Sequence, residues 1–166
     1  MQNKIDYEKA IKTKYPEQVV IAIARDENGK ANPMAVGWTM ITSSSPPMMS
    51  IALAHKRYTA RAIRHSKCFT IAYPSADMID DVLLFGTKSG RDIDKLEESG
   101  CAHRPAEEID SALLEDAVAN FECVLEQETV TGDHVVFVGK VVASHVNTEP
   151  KKRLYIIASG GKLGAV

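Results

Sequence analysis

The stretch "FECVLEQETVTGDHVVFVGKVVASHV", residues 121–146, decides how the chain folds. Its first half alternates. Phe121, Cys123 and Leu125 point one way and Glu122 and Glu126 the other, the two-residue period of a half-buried strand. Thr131 to Asp133, "TGD", reads as a hairpin turn. The return run from His134 to Val146 is apolar on both sides: Val135, Phe137 and Val141 on one face, Val136, Val138 and Val142 on the other. One face can fill the interior of a barrel. The second needs a cover, either a helix or another subunit.

Working outward, "VVIAIA" (19–24), "MSIALA" (49–54), "CFTIAY" (68–73) and "LYIIA" (154–158) are short β-branched or apolar runs bounded by turn residues, and read as strands. "RDENGK" follows the first as a turn, and "SGGKLG" follows the last. Three helices are expected between them. "TARAIRHS" (59–66) has Thr59 as its N-cap, "SADMIDDVLLFG" (75–86) runs from a Ser75 cap to a Gly86 stop, and "RDIDKLEESG" (91–100) ends at Gly100. About six strands with short inserted helices make a mainly β (α+β) fold, an antiparallel β-barrel with helical excursions. At 166 residues, with no repeat or low-complexity linker, residues 1–166 are expected to form one domain.

The net charge of −2 offers no electrostatic basis for binding nucleic acid or an acidic membrane. The three cysteines, Cys68, Cys101 and Cys123, are odd in number and widely spaced, which implies reduced thiols and a cytoplasmic location. The charged start "MQNKIDYEKA" has no apolar signal core, and no apolar run approaches the length of a membrane span. Cys101-Ala-His103 lacks a second ligand pair for a metal. GxSxG, GxxxxGK[ST] and GxGxxG do not occur, which argues against a serine hydrolase, a P-loop and a Rossmann site.

Three clusters can carry chemistry. In "NPMAVGWTMITSSSPPM" (32–48) the only tryptophan, Trp38, sits beside a run of hydroxyls. Such a mixture suits a flat ligand with polar edges, or else a core indole next to a serine-rich loop. "HKRYTARAI" (55–63) places Arg57 ahead of a helix start, a combination suited to a phosphate or simply a capped helix with an exposed arginine. "GTKSGRDIDK" (86–95) offers backbone N–H groups at Ser89-Gly90 with Lys95 following, or a plain helix link with surface pairs such as Asp92 and Lys95.

In this order and spacing, together with "FTIAYPSA", the hairpin and the late "GG", the clusters resemble the flavin reductase-like family with its FMN-binding split barrel, the flavoredoxin branch above all. The resemblance spans about Pro16 to Gly161. It implies an antiparallel split β-barrel, FMN as a non-covalent cofactor, and a homodimer. Backbone groups of Trp38, Thr39 and Met40 would meet the pyrimidine edge of the flavin, and Ser43 matches the family's serine before the Pro-Pro pair. Arg57, Tyr58 and Thr59 match its phosphate segment. Ser89, Gly90 and Lys95 match a segment that approaches the cofactor, often from the partner subunit. The family's usual Asn after the apolar run is replaced here by Ala72. The implied function is electron transfer or an FMN-dependent oxidoreductase reaction, with a redox protein or NAD(P)H as donor. No side chain stands out as a catalytic acid or base. Two alternatives stay open: an NAD(P)H:flavin reductase, and a non-catalytic split-barrel module binding heme or another flat cofactor, for which His55 is the nearby axial candidate.

Overall fold

A computed structural model describes residues 1–165. After a short helix α1 (Tyr7–Ala10), the strands are β1 (Glu17–Gln18), β2 (Val20–Arg25), β3 (Ala31–Val36), β4 (Thr39–Ser44) and β5 (Pro47–Ala54). Helix α2 (Tyr58–Ser66) leads to β6 (Cys68–Tyr73), followed by α3 (Ile79–Thr87) and α4 (Lys95–Ser99). The chain ends with β7 (His103–Pro105), β8 (Ala112–Leu114), β9 (Ala119–Thr131), β10 (His134–Val146), β11 (Leu154–Ala158) and β12 (Lys162–Ala165).

Seven strands form one antiparallel sheet in the order β3-β2-β6-β9-β10-β5-β4. The two end strands, β3 and β4, are consecutive in the chain and separated only by Gly37 and Trp38. A two-residue link between opposite ends of a sheet forces the sheet to curl until they meet. They meet without pairing, so the barrel is split along that seam. A second sheet, β1-β11-β12, and the β7-β8 ribbon lie outside it.

Strand β2 is buried on both faces, which explains its unbroken apolar run. Val20, Ala22 and Ala24 join Ile51, Leu53, Phe69, Ile71 and Phe137 in one apolar cluster, and α2 contributes Ala60, Ala62 and Ile63 to it. Ile21 and Ile23 face a second cluster with Met78, Val82 and Phe85 from the α3 region and Leu154 of β11. Gly139 sits where an added Cβ would lie 2.7 Å from both Cys123 Cβ and Phe69 Cζ, so only glycine lets β9 and β10 close over the first cluster.

The β9–β10 hairpin forms as expected, with Gly132 at φ +60° in its turn. Its pairing register shifts between Val138/Gly139 and between Val141/Ala143. The second bulge reverses the alternation, so Ser144 rather than His145 joins Val141 on the lining of one cavity, while His145 turns to the opposite side and meets Glu122. Val142, at the bulge, and Val146 remain 42% and 73% exposed.

Several expected boundaries move. The N-cap of α2 is Arg57, with no side-chain cap, and Thr59 is a buried residue of the helix's first turn. Ser75 precedes a 3-10 turn (Ala76–Met78), its hydroxyl caps nothing, and Gly86 lies inside α3, which continues to Thr87. Val82 and Phe85 form the buried face of α3, whereas Ile79 and Leu83 are exposed. Helix α4 starts only at Lys95, because the carboxylate of Asp94 accepts from Leu96 N and Glu97 N and sets the cap there. The glycine-rich "SGGKLG" is not wholly a loop: its end becomes β12 by pairing with β11.

A cationic cleft as the candidate cofactor site

The turn between β5 and α2 and the segment after α3 converge on β3. Between them lies a cleft of about 200 Å³, floored by Asn32 and Met34 and walled by residues 56–59, 85–91 and Lys95. The segment after α3 is pinned to the start of α2. Arg91 donates to the Lys56 carbonyl (2.9 Å) and stands over the Tyr58 ring at 5.2 Å. Lys30 clamps the same segment from the turn before β3, donating to the carbonyls of Gly90 (2.7 Å) and Ile93 (3.1 Å). Gly90 passes so near Asn32 that an added Cβ would lie 1.9 Å from Asn32 Oδ1. That close approach explains the glycine.

Charge in the cleft is one-sided. Lys95 is only 3% exposed, and its Nζ donates to the carbonyls of Pro33 and Phe85, both at 2.9 Å. An ammonium has three donors, so one remains. Burial, with repulsion from Arg57 and Lys30, pulls its pKa from 10.5 down to about 8. Arg57 is exposed and makes no ion pair among the described residues. Asp26, the carboxylate bonded to Tyr58 of the cleft wall, is already engaged: it accepts from Tyr58 Oη (2.7 Å) and from the backbone N–H groups of Asn28 and Lys30. Burial pushes Asp26 up, but those hydrogen bonds outweigh it and hold the carboxyl below its ordinary value. At the floor, Asn32 Nδ2 donates to Thr59 Oγ1 (2.8 Å), while Asn32 Oδ1 is buried without a partner.

Six of the ten residues picked out in the sequence therefore share one cleft: Arg57, Tyr58, Thr59, Ser89, Gly90 and Lys95. Tyr58 and Thr59 turn their hydroxyls to Asp26 and Asn32, so their side chains brace the cleft from behind. The other four lie beyond the β3–β4 turn. Trp38 is half exposed, its ring centroid 4.5 Å from that of His134, and its carbonyl accepts from Ala52 N (2.9 Å). The Thr39 carbonyl accepts from Gln18 Nε2 (2.6 Å) and its hydroxyl donates to the Ser50 carbonyl (2.9 Å). Met40 is exposed on the edge strand, and Ser43 lines a separate apolar cavity.

An apolar depression of about 220 Å³ connects the two groups. Val19, Ala35, Gly37, Val82, Gly160 and Gly161 line it, and it shares Gly86 and Thr87 with the cationic cleft. The chain passes from Gly37 in this depression directly to Trp38. Ala72, where the family's Asn was expected, is fully buried in the second apolar cluster opposite Asn120. His55 does not line the cleft; its Nε2 is 3.1 Å from the Gly132 carbonyl oxygen.

Sequence reading missed Lys30, Asn32 and Arg91. Lys30 looked like part of an ordinary turn, and nothing local marks it as reaching a segment 60 residues away.

A split antiparallel barrel with a cationic cleft joined to an apolar shelf defines the class of fold and site. Comparison with known proteins narrows the class. Residues 12–162 match the flavin reductase like domain. An uncharacterized protein of Pyrococcus abyssi is 35% identical over 129 residues, 78% of this chain and 73% of that protein. Among solved structures, the flavoredoxin of Methanosarcina acetivorans superposes with a TM-score of 0.87 at 22% identity, covering 100% of this chain and 91% of that one. An FMN-binding protein from Thermus thermophilus gives 0.84 at 24% identity, covering 99% and 93%. The chain belongs to the flavin reductase-like family, and its role is that of a flavin redox protein of this type. None of its described helices is long and apolar enough to cross a membrane.

Proposed function

We propose that the protein binds FMN, with the phosphate in the cationic cleft and the ring on the apolar shelf, and serves as a cytoplasmic electron-transfer protein of the flavoredoxin type. One observation carries this reading: Lys95 is buried beside an unpaired Arg57 with no carboxylate to neutralise either. Uncompensated buried charge is costly, and an incoming phosphate removes that cost. Arg57 and Lys95 hold the phosphate. The start of α2, which no side chain caps, and the backbone at Ser89-Gly90 supply N–H donors. Ala35, Gly37 and Val82 exclude water from the ring, whose polar edge reaches the backbone at Trp38 to Met40. Bound there, the flavin supplies electron transfer that the chain's own groups lack. The three thiols are buried, and burial together with nearby carboxylates pushes Cys101 and Cys123 up to about 12.

The test is flavin binding by Arg57→Ala. FMN affinity should fall about tenfold or more, the loss expected for one charge-assisted hydrogen bond. Riboflavin, which lacks the phosphate, should bind both proteins alike. Equal FMN affinity in parent and variant would remove the assignment.

With Arg57 and Lys95 both assigned to the FMN phosphate, we propose a protein donor rather than a nicotinamide nucleotide. The FMN-loaded protein should be reduced slowly by NADH or NADPH without oxygen, and readily by dithionite or a reduced ferredoxin. Bleaching by NADH within seconds, with turnover on added FMN, would make the protein a flavin reductase instead. We further propose a homodimer, supported by the open valine face of β10.

A further inference from the structure

A third cavity, of about 390 Å³, opens at the end of the barrel where β5 begins and β10 ends. Its wall is apolar, built from Ile41, Met48, Tyr73, Phe121 and Val141, and it shares no lining residue with the cationic cleft or the shelf. Tyr73, Phe121 and Val141 also pack on the first apolar cluster, so the cavity continues the barrel core outward. Its volume is within the range of small-molecule sites.

Among the described residues, the only charged one on that wall is Arg153. Its guanidinium stands 4.1 Å from the Tyr73 ring centroid and 4.8 Å from that of Tyr155. Nε and Nη2 are buried, and neither has a hydrogen-bond partner among the described residues. Ser75, paired with Arg153 across an antiparallel bridge, is fully buried, and its Oγ is equally unpartnered. Nearby acids do not help: Asp77 and Asp116 both bind Lys151, at 3.4 and 2.9 Å. The two tyrosine rings offset part of the desolvation of the guanidinium but supply no acceptor for its N–H groups. Buried donors in this state are costly to leave unpaired. A planar fork of N–H groups at the edge of an apolar cavity matches one ligand chemistry, a carboxylate carrying an apolar body.

We propose that the barrel mouth is a second ligand site, which takes a small aromatic or short-chain aliphatic carboxylate. The carboxylate lies on Arg153, and the apolar body lies against Phe121, Val141 and Met48. This site does not depend on the flavin assignment.

Calorimetric titration of the full chain, with and without FMN, tests it. The probes are benzoate and hexanoate, each compared with the alcohol of the same body, benzyl alcohol and hexanol. The acids should bind about tenfold or more tightly than the alcohols, the difference a charged hydrogen bond makes. Arg153→Gln should bring the acids down to the alcohols' level with FMN content unchanged. Val141→Trp, which fills the cavity and leaves Arg153 in place, should abolish binding of both. If Arg153→Gln does not fold by circular dichroism, the acid-to-alcohol ratio of the parent and the Val141→Trp result still decide the matter. The site is overturned if neither acid binds at millimolar concentration, which would mean that water alone meets the orphan nitrogens. It is equally overturned if acid and alcohol bind alike, if Arg153→Gln keeps the acid affinity, or if benzoate competes with FMN.

Discussion

Two buried charges show how differently one barrel can treat an ion. Glu122 is fully buried, yet every demand on it is met within the chain. Its carboxylate accepts from the N–H groups of Glu107 (3.0 Å), Glu108 (2.7 Å) and Ile109 (3.1 Å) and lies 2.7 Å from His145 Nε2. Burial pushes its pKa up, and those donors more than cancel that, leaving it below the ordinary value. Lys95 is almost as buried, but its neighbours are two carbonyls and two further cations. The first charge is a completed fastening for the 106–111 loop. The second has no anionic partner among the described residues, and we propose that the FMN phosphate supplies it. Burial alone does not separate structural from functional ions; the balance of partners does.

The contrast is broken most severely at Glu122. Glu122→Ala strands three backbone donors and should destabilise the fold by about 3–5 kcal/mol, the scale for removing one partner of a buried charge network. A urea midpoint within error of the parent would contradict it. The carboxylate's contribution is present above its unfolded value near 4.5 and disappears as pH falls through its lower folded value, so the difference between parent and variant should shrink in acid.

Gly90→Ala should come next. Its Cβ collides with Asn32, so β3 or the following segment must shift, at a cost of about 1–3 kcal/mol in overpacking. FMN affinity should fall with it, measured by fluorescence quenching. An alanine variant that binds FMN normally would show that the contact is not part of the cleft's support.

The pH dependence of Lys95 sharpens the comparison. Its folded pKa, about 8, lies below the unfolded 10.5. Between those values the unfolded chain holds a proton that the folded chain lacks, so stability of the flavin-free protein should rise across this window. Lys95→Met should flatten the rise in thermal melts. FMN binding should run the other way, weakening above about pH 8 as the ammonium is lost, toward a limit of about tenfold per pH unit. Riboflavin binding should stay flat, and parallel profiles for the two flavins would separate Lys95 from the phosphate.

The smallest effect on the monomer is expected at Val142→Lys. The residue is 42% exposed, so a lone chain should change by no more than about 0.5 kcal/mol. A dimer using this face should dissociate, which light scattering would show. A monomeric parent would end the argument for the interface.

Much of this was legible before any coordinates. The alternation of "FECVLEQE", the "TGD" turn and the apolar runs at 19–24, 49–54 and 68–73 are local patterns, and each becomes the expected element. The cleft segments at Arg57–Thr59 and Ser89–Lys95 could be marked because an arginine at a helix start and a Ser-Gly turn carry their chemistry in adjacent residues. Where reading failed, partners were distant. Thr59 reads as a cap because its partner Asn32 lies 27 residues away. The β12 strand exists only because β11 offers it an edge. The bulge at Val142, which sends His145 to Glu122 and Ser144 to the barrel mouth, leaves no mark in an alternating sequence.

Side-chain period and turn chemistry act over a few residues, and they mark six of the twelve strands, the hairpin and the family in the sequence alone. Only the tertiary structure decided which charges are satisfied. Lys30 meets the carbonyls of Gly90 and Ile93, Lys95 meets those of Pro33 and Phe85, Glu122 meets the 107–109 backbone, and Arg153 meets no acid among the described residues. Burial and pairing are properties of the space around a group, and that space is built by segments the local sequence does not contain.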